Sequence, residues 1–329
     1  MNTRSLQCFL KAAEEMNFSR AAERLYISQQ SLSVHIKKLE ESYGVILFER
    51  NPHLRLTYAG ERMLLHAKNL LACENRLEMD FAYIFANKSS KLSIGISRAR
   101  SQIFLPLIWE RFHPQNPNIN ISLVETISEK MENLLLNGQI DLYIGINVIE
   151  NKAMEVHHLA QEKQYCIINR DLLLRHFPNS WEAVLKSCQD GIGLQELILI
   201  TRMPFILLSP GNRMRISLDY LLHLNNIVPH CIFETLDQNL IFQLSQSGYG
   251  VGFISQSNLY GYYKDVQSLP KLYTFPILID TMNISIDLVT LKNNKPFSYI
   301  ENFVNITKDV FDEYVIKMKN FDFNRSIQL

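Results

Sequence analysis

The sequence predicts a mixed fold, in which an all-helical N-terminal domain and a long helix precede a two-lobed α/β domain. Three observations predict it. The apolar rhythm of residues 18–40 breaks once and then resumes, as in a helix-turn-helix. Residues 1–88 are rich in helix-forming residues, whereas from Ser90 onward β-rich runs alternate with helical ones. At 329 residues, the chain is too long for one simple core and fits two or three domains.

Composition and charge limit the function classes. Hydrophobic residues make up 47% of the chain and charged residues 20%, as in an ordinary globular protein. The 33 basic and 33 acidic residues cancel, so the chain is not a polycation that coats nucleic acid. Binding to nucleic acid would need a local basic surface. A non-specific architectural DNA protein is therefore disfavoured.

The first residues and the cysteines predict a cytoplasmic protein with reduced thiols. Lys11, Glu14 and Glu15 interrupt the first apolar run before it could act as a signal peptide. No window reaches the roughly 18 to 20 apolar residues of a membrane helix. The five cysteines show no CxxC pair or Cys/His ligand spacing, and an odd number argues against a disulfide framework. We expect no membrane partner.

Residues 18–40 (FSRAAERLYISQQSLSVHIKKLE) predict two helices joined by a tight turn. Ser19 is expected to cap the first helix, Tyr26–Ser28 forms the turn, and Ser28 is a natural N-cap for the second helix. The residues expected to turn inward are Ala21, Ala22, Leu25, Leu32, Ile36 and Leu39. Their spacing leaves one face of the second helix outside the core.

That outer face carries a mixed polar strip instead of alternating Glu and Lys. Gln29, Ser33 and Lys37 form one stripe, with Gln30 and Val34 beside it. Such side chains suit the major groove, because Gln can pair with adenine, Val contacts a thymine methyl group, and Lys binds phosphate or guanine. An ordinary αα-hairpin shows the same interrupted periodicity, so spacing alone does not decide between the two structures.

The segment after the second helix predicts a wing. Residues 42–64 contain a helix end at Gly44, a short extended segment, and a new helix after Gly60. Basic side chains in the short segment are placed to meet flanking phosphates or the minor groove. The candidate DNA-contacting residues are Ser19, Arg20, Ser28, Gln29, Gln30, Ser31, Ser33, Val34, Lys37, Lys38, Arg50, His53 and Arg55.

Residues 59–88 predict a dimerisation helix. Apolar residues recur near the 3.5-residue spacing of a coiled-coil seam. They are Met63, Ala67, Leu70, Leu77, Phe81 and Ile84. Glu74 interrupts this seam. The alternative is one helix that packs only on its own domain.

Residues 90–329 predict two α/β lobes. The first strands are expected at 92–97, 119–126 and 140–146, and the later ones at 165–169, 205–209, 230–235 and 251–255. Alternating strands and helices are typical of parallel sheets with right-handed crossovers. We expect the chain to cross between the lobes near 161–164 and 266–271, so that lobe I comprises 90–162 with 270–329 and lobe II comprises 163–269.

The cleft between the lobes is the expected site for a small molecule. Ligands of open α/β sheets bind outside the carboxyl ends of the strands. Hydroxyls and backbone amides there could hold a carboxylate, with added charge from two arginines, unless those arginines are solvated surface groups. The candidate residues are Ser97, Arg98, Arg100, Ser101, Thr126, Asn147, Ser209 and Thr235.

Catalytic motifs are absent from the sequence. It contains no phosphate-binding glycine loop, no GxSxG and no HExxH. His157, His158 and His223 are expected at the surface or in the core and not as metal ligands. Cys166 and Cys188 have no visible activating charge, so a redox switch is disfavoured. We expect neither an enzyme nor a bound cofactor or metal.

The stretch AAERLYISQQSLSVHIKKLEESYGVILFER, followed by LTYAG, resembles the DNA-binding domain of LysR-type transcriptional regulators. The matching residues are Ala21, Ala22, Leu25, Ser28, Gln29, Ser33, Ile36, Leu39, Glu40, Gly44, Leu47, Phe48, Arg50, Leu56, Thr57 and Gly60. NGQIDLYIGI and SQSGYGVGFIS resemble later elements of the family, so the resemblance covers essentially the full chain. Gln30 and Ser31 depart from the common pattern, and residues 171–203 are longer and more apolar than expected.

The resemblance implies a winged helix-turn-helix domain at 1–58 (helix-turn-helix 18–37), a linker helix at 59–88 and a periplasmic-binding-protein-like effector domain at 90–329. It implies these partners: double-stranded DNA with a pseudo-palindromic operator, a second or further copies in a homodimer or homotetramer, RNA polymerase, and a small-molecule effector that the arginines would suit as an anion. The expected function is a sequence-specific transcriptional regulator. The alternative is a solute-binding or enzymatic α/β module whose N-terminal helices only dimerise.

Overall fold

The structure is a computed structural model that describes residues 3–49, 53–86, 90–263, 271–292 and 297–321. The chain forms two compact units. One comprises Met1–Lys91 with Leu136–Gln139, and the other comprises Leu92–Leu135 with Ile140–Leu329. No helix in these ranges combines the length and the apolar character needed to cross a bilayer.

The N-terminal unit is helical with one short hairpin. Its elements are α1 (Thr3–Glu15), α2 (Phe18–Arg24), α3 (Gln29–Tyr43), β1 (Phe48–Glu49), β2 (Arg55–Leu56) and α4 (Tyr58–Ala86). The core between α1, α2 and α3 contains Leu6, Phe9, Ala21, Ala22, Leu32, Ile36, Leu39 and Phe48. The predicted helix-turn-helix and its buried seam are therefore confirmed.

The two caps of this region differ from each other in how well they were predicted. Ser28 caps α3 as expected, since its Oγ accepts the Ser31 N–H at 3.1 Å. The prediction that Ser19 caps α2 was wrong. The Asn17 Oδ1 accepts the N–H groups of Ser19 and Arg20, because Phe18 already belongs to the helix. This frees the Ser19 hydroxyl for another contact.

The second unit contains alternating strands and helices. In chain order they are β3 (Ser90–Ile96), α5 (Arg98–Phe112), β4 (Ile119–Glu125), α6 (Ser128–Leu136), β5 (Leu142–Ile146), β6 (Met154–Glu162), β7 (Gln164–Asn169), α7 (Arg170–His176), α8 (Trp181–Ser187), α9 (Leu194–Ile200), β8 (Phe205–Leu208), α10 (Arg213–Leu224), β9 (Cys231–Thr235), α11 (Gln238–Gln246), β10 (Val251–Ser255), α12 (Gln256–Tyr263), β11 (Leu272–Pro276), β12 (Ile284–Leu291) and α13 (Ser298–Lys319).

These strands form two sheets, one in each lobe. The first has the order β4-β3-β5-β12-β6, and the second has the order β11-β7-β10-β8-β9. The pairs β3–β5, β8–β9 and β8–β10 are parallel, as predicted. Strands β7, β11 and β12 pair antiparallel with their neighbours. The sheets are therefore mixed, since each lobe is completed by a strand that arrives from the other.

The predicted return crossing at 266–271 was wrong. Strand β11 pairs with β7 along Leu272↔Asn169 to Pro276↔Tyr165, so residues 272–276 still belong to the second sheet. The chain reaches the first sheet only at β12, whose Ile284 pairs with Glu162. The return crossing therefore lies between Pro276 and Ile284. The first crossing, at Lys163 between β6 and β7, agrees with the predicted 161–164.

Three further parts of the second unit were not predicted. Strand β6, helix α12, and the short helices α7, α8 and α9 have no counterpart in the sequence reading. The long apolar segment 171–203 becomes these three helices, whose buried residues join the core of the second sheet. The core of the first lobe lies between its sheet and helices α5 and α13, where Phe104 stacks on Phe311 at 4.2 Å.

Candidate nucleic-acid interface and ligand cleft

The outward face of α3 is centred on Gln30, Val34 and Lys37. Gln30 and Lys37 are exposed, and the Val34 side chain is 50% exposed. Their spacing of four and three places them opposite the buried seam. The predicted centre at Gln29, Ser33 and Lys37 is displaced, because Ser33 is half-buried beside that seam. The exposed Lys38 and the half-buried Ser31 border the face.

The N-terminal ends of α2 and α3 are joined by side chains. The Ser19 hydroxyl donates to the Gln29 Oε1 at 3.1 Å. Arg20 and Ser28 are exposed beside this contact. Gln29 therefore has a protein partner already, which leaves Gln30 as the glutamine whose amide faces outward. A sequence reading could not distinguish the two neighbours, because both precede the first buried residue of the helix.

The wing is held to α3 and α4 by backbone contacts. The Glu40 carboxylate accepts the N–H of Leu47 at 2.8 Å, and the Thr57 hydroxyl donates to the Ile46 carbonyl at 2.6 Å. A Cβ added at Gly60 would overlap the Leu47 carbonyl oxygen, so this close approach requires glycine. These contacts fix where the hairpin β1–β2 leaves the domain.

The two charged residues of the wing pair with each other. Glu49 faces Arg55 across the hairpin, and their carboxylate and guanidinium groups are 2.5 Å apart. The charge of Arg55 is thereby partly neutralised, which the sequence reading did not anticipate. His53 is exposed at the same hairpin. The third predicted wing residue, Arg50, lies outside the described residues.

Replacing Glu49 by Gln is expected to raise affinity for unrelated duplex DNA about threefold to tenfold at low salt, because Arg55 becomes free to bind phosphate. The logarithmic salt dependence of binding should steepen by about one unit. Fluorescence anisotropy over a salt series measures both. In the double variant Glu49→Gln/Arg55→Ala the gain should disappear. A gain that survives in the double variant would show that Arg55 has no part in it.

Helix α4 carries an exposed apolar seam with a different register from the predicted one. Leu70, Cys73 and Leu77 are exposed, at spacings of three and four. Glu74, expected to interrupt the seam, faces α1 instead, where the Thr3 hydroxyl donates to its Oε1 at 2.5 Å. Ala67 is buried in the core of its own unit.

The remaining predicted seam residues divide between the core and the surface. Met63 is half-buried against the same core as Ala67, whereas Phe81 is about half exposed. The side chain of Ile84 lies outside the described residues. The outward stripe therefore begins at Leu70, one turn beyond the part of α4 that packs on α1.

A cleft of about 370 Å³ lies at the carboxyl ends of strands from both sheets. Of the predicted residues, it is lined by Ser97, Arg98, Arg100, Thr126 and Thr235. The unpredicted lining residues are Glu125, Ile127, Ser128, Ile146, Asn212, Arg213, Leu236 and Asp237. The strand-end rule therefore found the cleft, whereas it could not find residues contributed by helix starts.

Four helices begin at this cleft. They are α5, α6, α10 and α11, whose first residues or N-caps line it. Asn212 and Asp237 cap α10 and α11 with their own side chains, whereas Ser97 makes no such bond to α5. Helix N-termini carry partial positive charge and unpaired N–H groups. The cleft is therefore suited to a negatively charged group.

Arg100 is the buried cation of the cleft. Its side chain is 4% exposed, and its Nη1 donates to the Ser97 Oγ at 3.3 Å. Within the described residues, its Nε and Nη2 have no hydrogen-bond partner. Burial lowers the pKa of Arg100, and the nearby Glu162 opposes that change. A buried guanidinium stays protonated and attracts an anion.

Three predicted ligand residues have structural contacts instead. The buried Ser101 hydroxyl contacts the Glu125 Oε1 at 2.6 Å, and the Asn147 Oδ1 accepts the Ser285 N–H at 2.8 Å. The Ser209 N–H donates to the Thr235 carbonyl at 2.8 Å. None of the three lines the cleft. Each ends or follows a strand, but its polar atoms serve the neighbouring chain segment.

Arg213 joins the two lobes behind the cleft. It begins α10 of the second lobe, and its Nη1 donates to the carbonyl groups of Ile146 and Asn147 in the first lobe, both at 2.7 Å. Its Nη2 pairs with the Glu132 carboxylate of α6. Both side chains are less than one-fifth exposed. This tie holds the two walls of the cleft together.

The cysteines and histidines are not arranged for chemistry. Burial raises the pKa of Cys188 to about 11 and that of Cys166 well above its ordinary value, so both are neutral thiols near pH 7. The His158 Nδ1 lies 3.1 Å from the Asp287 carboxylate, on paired strands β6 and β12. The described part of the chain holds no group of three or more His, Cys, Asp or Glu that could bind a metal.

A helix-turn-helix with an exposed reading face, in one chain with a two-lobed ligand domain, defines the class of ligand-responsive transcriptional regulators. Residues 3–61 match the family model described as bacterial regulatory helix-turn-helix protein, lysR family. Residues 86–188 match the LysR substrate binding domain. The chain belongs to the LysR family of transcriptional regulators. Its members are regulators and not enzymes, so the enzymatic alternative is not favoured.

Curated relatives agree with this assignment. The chain is 26% identical over 255 residues to the uncharacterized HTH-type transcriptional regulator YcgK of Bacillus subtilis, covering 76% of this chain and 79% of that protein. It is 31% identical over 184 residues to the regulator AlsR of the same organism, covering 52% of this chain and 59% of AlsR.

Solved structures agree in fold. The LysR family regulator CbnR superposes with a TM-score of 0.62 at 20% identity, covering 94% of this chain and 99% of CbnR. Full-length BenM superposes with a TM-score of 0.53 at 22% identity, covering 96% of this chain and 98% of BenM. At these identities the comparison shows the fold alone.

Proposed function

We propose that α3 reads operator bases through Gln30, Val34 and Lys37. The observation that carries this proposal is the outward position of these three side chains, with Leu32, Ile36 and Leu39 buried behind them. An amide, an apolar methyl surface and an ammonium group on successive turns match an adenine edge, a thymine methyl group and a guanine or phosphate. Gln30 is also where the sequence leaves the common family pattern.

The surrounding polar residues position α3 on the duplex. Ser19, Arg20, Ser28 and Lys38 are placed to contact phosphates beside the major groove. Ser31 and Ser33, which are half-buried, would serve at the edge of the reading face, and Gln29 would act through its contact with Ser19. The wing, with His53 and Arg55, would meet the flanking backbone, as would Arg50.

The exposed stripe on α4 is the proposed contact with a second copy of the chain. An apolar stripe at spacings of three and four is the pattern that two helices bury against each other. Two helix-turn-helix units are needed to read two half-sites of a pseudo-palindromic operator. The domain limits 1–58, 59–88 and 90–329 follow this division of labour. A homotetramer and contact with RNA polymerase extend the same proposal.

The effector is proposed to be a small anion held in the cleft. The supporting observations are the four helix N-termini, the exposed Arg98 and the buried Arg100 with unpaired nitrogens. Ser97, Thr126 and Thr235 would supply hydroxyl groups. A volume of about 370 Å³ lies at the lower end of the range for small-molecule sites. Because its target is genomic DNA, we place the protein in the cytoplasm of a bacterial cell.

Replacing Thr126 by Val is expected to weaken binding of such an anion roughly fivefold to twentyfold, because one hydroxyl hydrogen bond is lost without a change of shape. Thermal denaturation with a panel of mono- and dicarboxylates and inorganic phosphate identifies a ligand by a rise in midpoint. Titration of that ligand into the wild type and the variant then gives the ratio of affinities.

The matched control is Thr201→Val, at the end of α9 and away from the cleft. It should bind like the wild type. If no anion raises the midpoint, or if both threonine variants bind equally, the effector proposal is wrong. The DNA-binding proposal does not depend on this result.

A further inference from the structure

Tyr26 combines a left-handed backbone with an almost fully exposed ring. Its φ is +55°, in the region that bulky residues rarely adopt. Its side chain is 96% exposed, so packing against the described residues does not hold the ring in place. The turn between α2 and α3 thus carries a large aromatic residue at a position where glycine is usually found.

The end of α2 explains the backbone but not the side chain. The Ile27 N–H donates to the Ala22 carbonyl and the Tyr26 N–H to the Glu23 carbonyl, both at 3.1 Å. This is the Schellman pattern, which puts the residue after the C-cap into the left-handed region. Glycine adopts that conformation without steric cost. The fold therefore gains nothing from a tyrosine at this position.

The position of the turn suggests what the ring contacts. Tyr26 lies two residues before Ser28, the N-cap of α3, and four before Gln30. The half-buried Ile27 anchors the turn to the domain core. On the far side of Ile27, Ser28, Gln29 and Gln30 are exposed. Tyr26 therefore borders the N-terminal end of α3, which is the end that enters the groove in the proposed complex.

We infer that Tyr26 contacts the DNA backbone, with its phenol hydroxyl donating to a phosphate oxygen at the edge of the groove that α3 enters. Tyrosine hydroxyls are among the usual donors to phosphate. This inference rests on the proposed placement of α3 in the major groove. The contact is independent of sequence, so it strengthens specific and non-specific binding alike. It also fixes how deeply the N-terminal end of α3 enters the groove.

Two substitutions separate the hydroxyl from the backbone. Tyr26→Phe keeps the ring and the left-handed conformation but removes the donor. Tyr26→Gly removes the side chain and relieves the backbone. Both should lower affinity for operator and unrelated duplex by the same factor, roughly fivefold to twentyfold. The thermal midpoint of Tyr26→Gly should equal or exceed that of the wild type, so misfolding cannot account for the loss.

The control is Tyr249→Phe, which removes the hydroxyl of an exposed tyrosine in the second unit and should bind as the wild type does. A duplex with a neutral methylphosphonate at the contacted phosphate should bind Tyr26→Phe and the wild type equally. If Tyr26→Phe binds every duplex within twofold of the wild type while Gln30→Ala loses operator binding, the Tyr26 contact is refuted and the placement of α3 stands. If the wild type binds no duplex, both fail.

Discussion

Replacing Leu70 and Leu77 by Asp is expected to convert the protein to a monomer and to lower operator affinity at least 100-fold. The two side chains are 39% and 51% exposed on one stripe of α4, so the single chain loses little packing when they change. In a paired helix, each Asp would bury an unpaired carboxylate, which is strongly unfavourable. Linked binding to two half-sites exceeds binding to one by about 10²- to 10⁴-fold, and a monomer loses that gain.

The measurements are sedimentation velocity for mass and anisotropy for operator binding. The control is Leu194→Asp/Leu278→Asp, because these leucines of the second unit are also 39% and 51% exposed. That variant should keep the mass and affinity of the wild type. A Leu70→Asp/Leu77→Asp protein that remains oligomeric would show that α4 is not required for the subunit contact.

Replacing Gln30 by Ala is expected to lower operator affinity about tenfold to 100-fold and to leave affinity for unrelated DNA unchanged. A bidentate glutamine–adenine contact contributes about 1–3 kcal/mol of discrimination against the wrong base. Alanine favours the helix, and Gln30 is exposed, so the fold should not suffer. The salt dependence of binding should keep its slope, since no phosphate contact is lost.

Lys37→Ala supplies the contrast to this prediction. Its loss should weaken binding to all sequences and reduce the salt slope by about one unit. Gln243→Ala, an exposed helical glutamine in α11, should change neither quantity. If Gln30→Ala weakens operator and unrelated DNA by the same factor, Gln30 does not read a base.

Much of the N-terminal unit could be predicted from sequence because its information is local. The interrupted periodicity of residues 18–40 and the capping residue Ser28 specify two helices and a turn without reference to distant residues. Periodicity could not decide which glutamine faces outward. That depends on the Ser19 contact to Gln29, which forms only when α2 and α3 pack together.

The second unit was predicted less completely because its decisive contacts are long-range. The sequence pattern of β11 is that of a strand, but only its pairing with β7, about 100 residues earlier, assigns it to the second sheet. Arg213 reads as the first residue of an ordinary helix. Its role appears only through carbonyl groups of Ile146 and Asn147, far away in sequence. Similarly, Glu49 could not be foreseen as the partner of Arg55 before the hairpin register was known.

The central claim is that α3 reads a two-part operator through Gln30, and selection of bound sequences from a random duplex pool tests it most directly. With the full-length protein, we expect an inverted repeat whose half-site centres are about 34–36 Å apart or a multiple of that distance. Selection with Gln30→Ala should return the same spacing but lose preference at one base position in each half-site. A pool without enriched repeats, or identical preferences for the two proteins, would contradict the account.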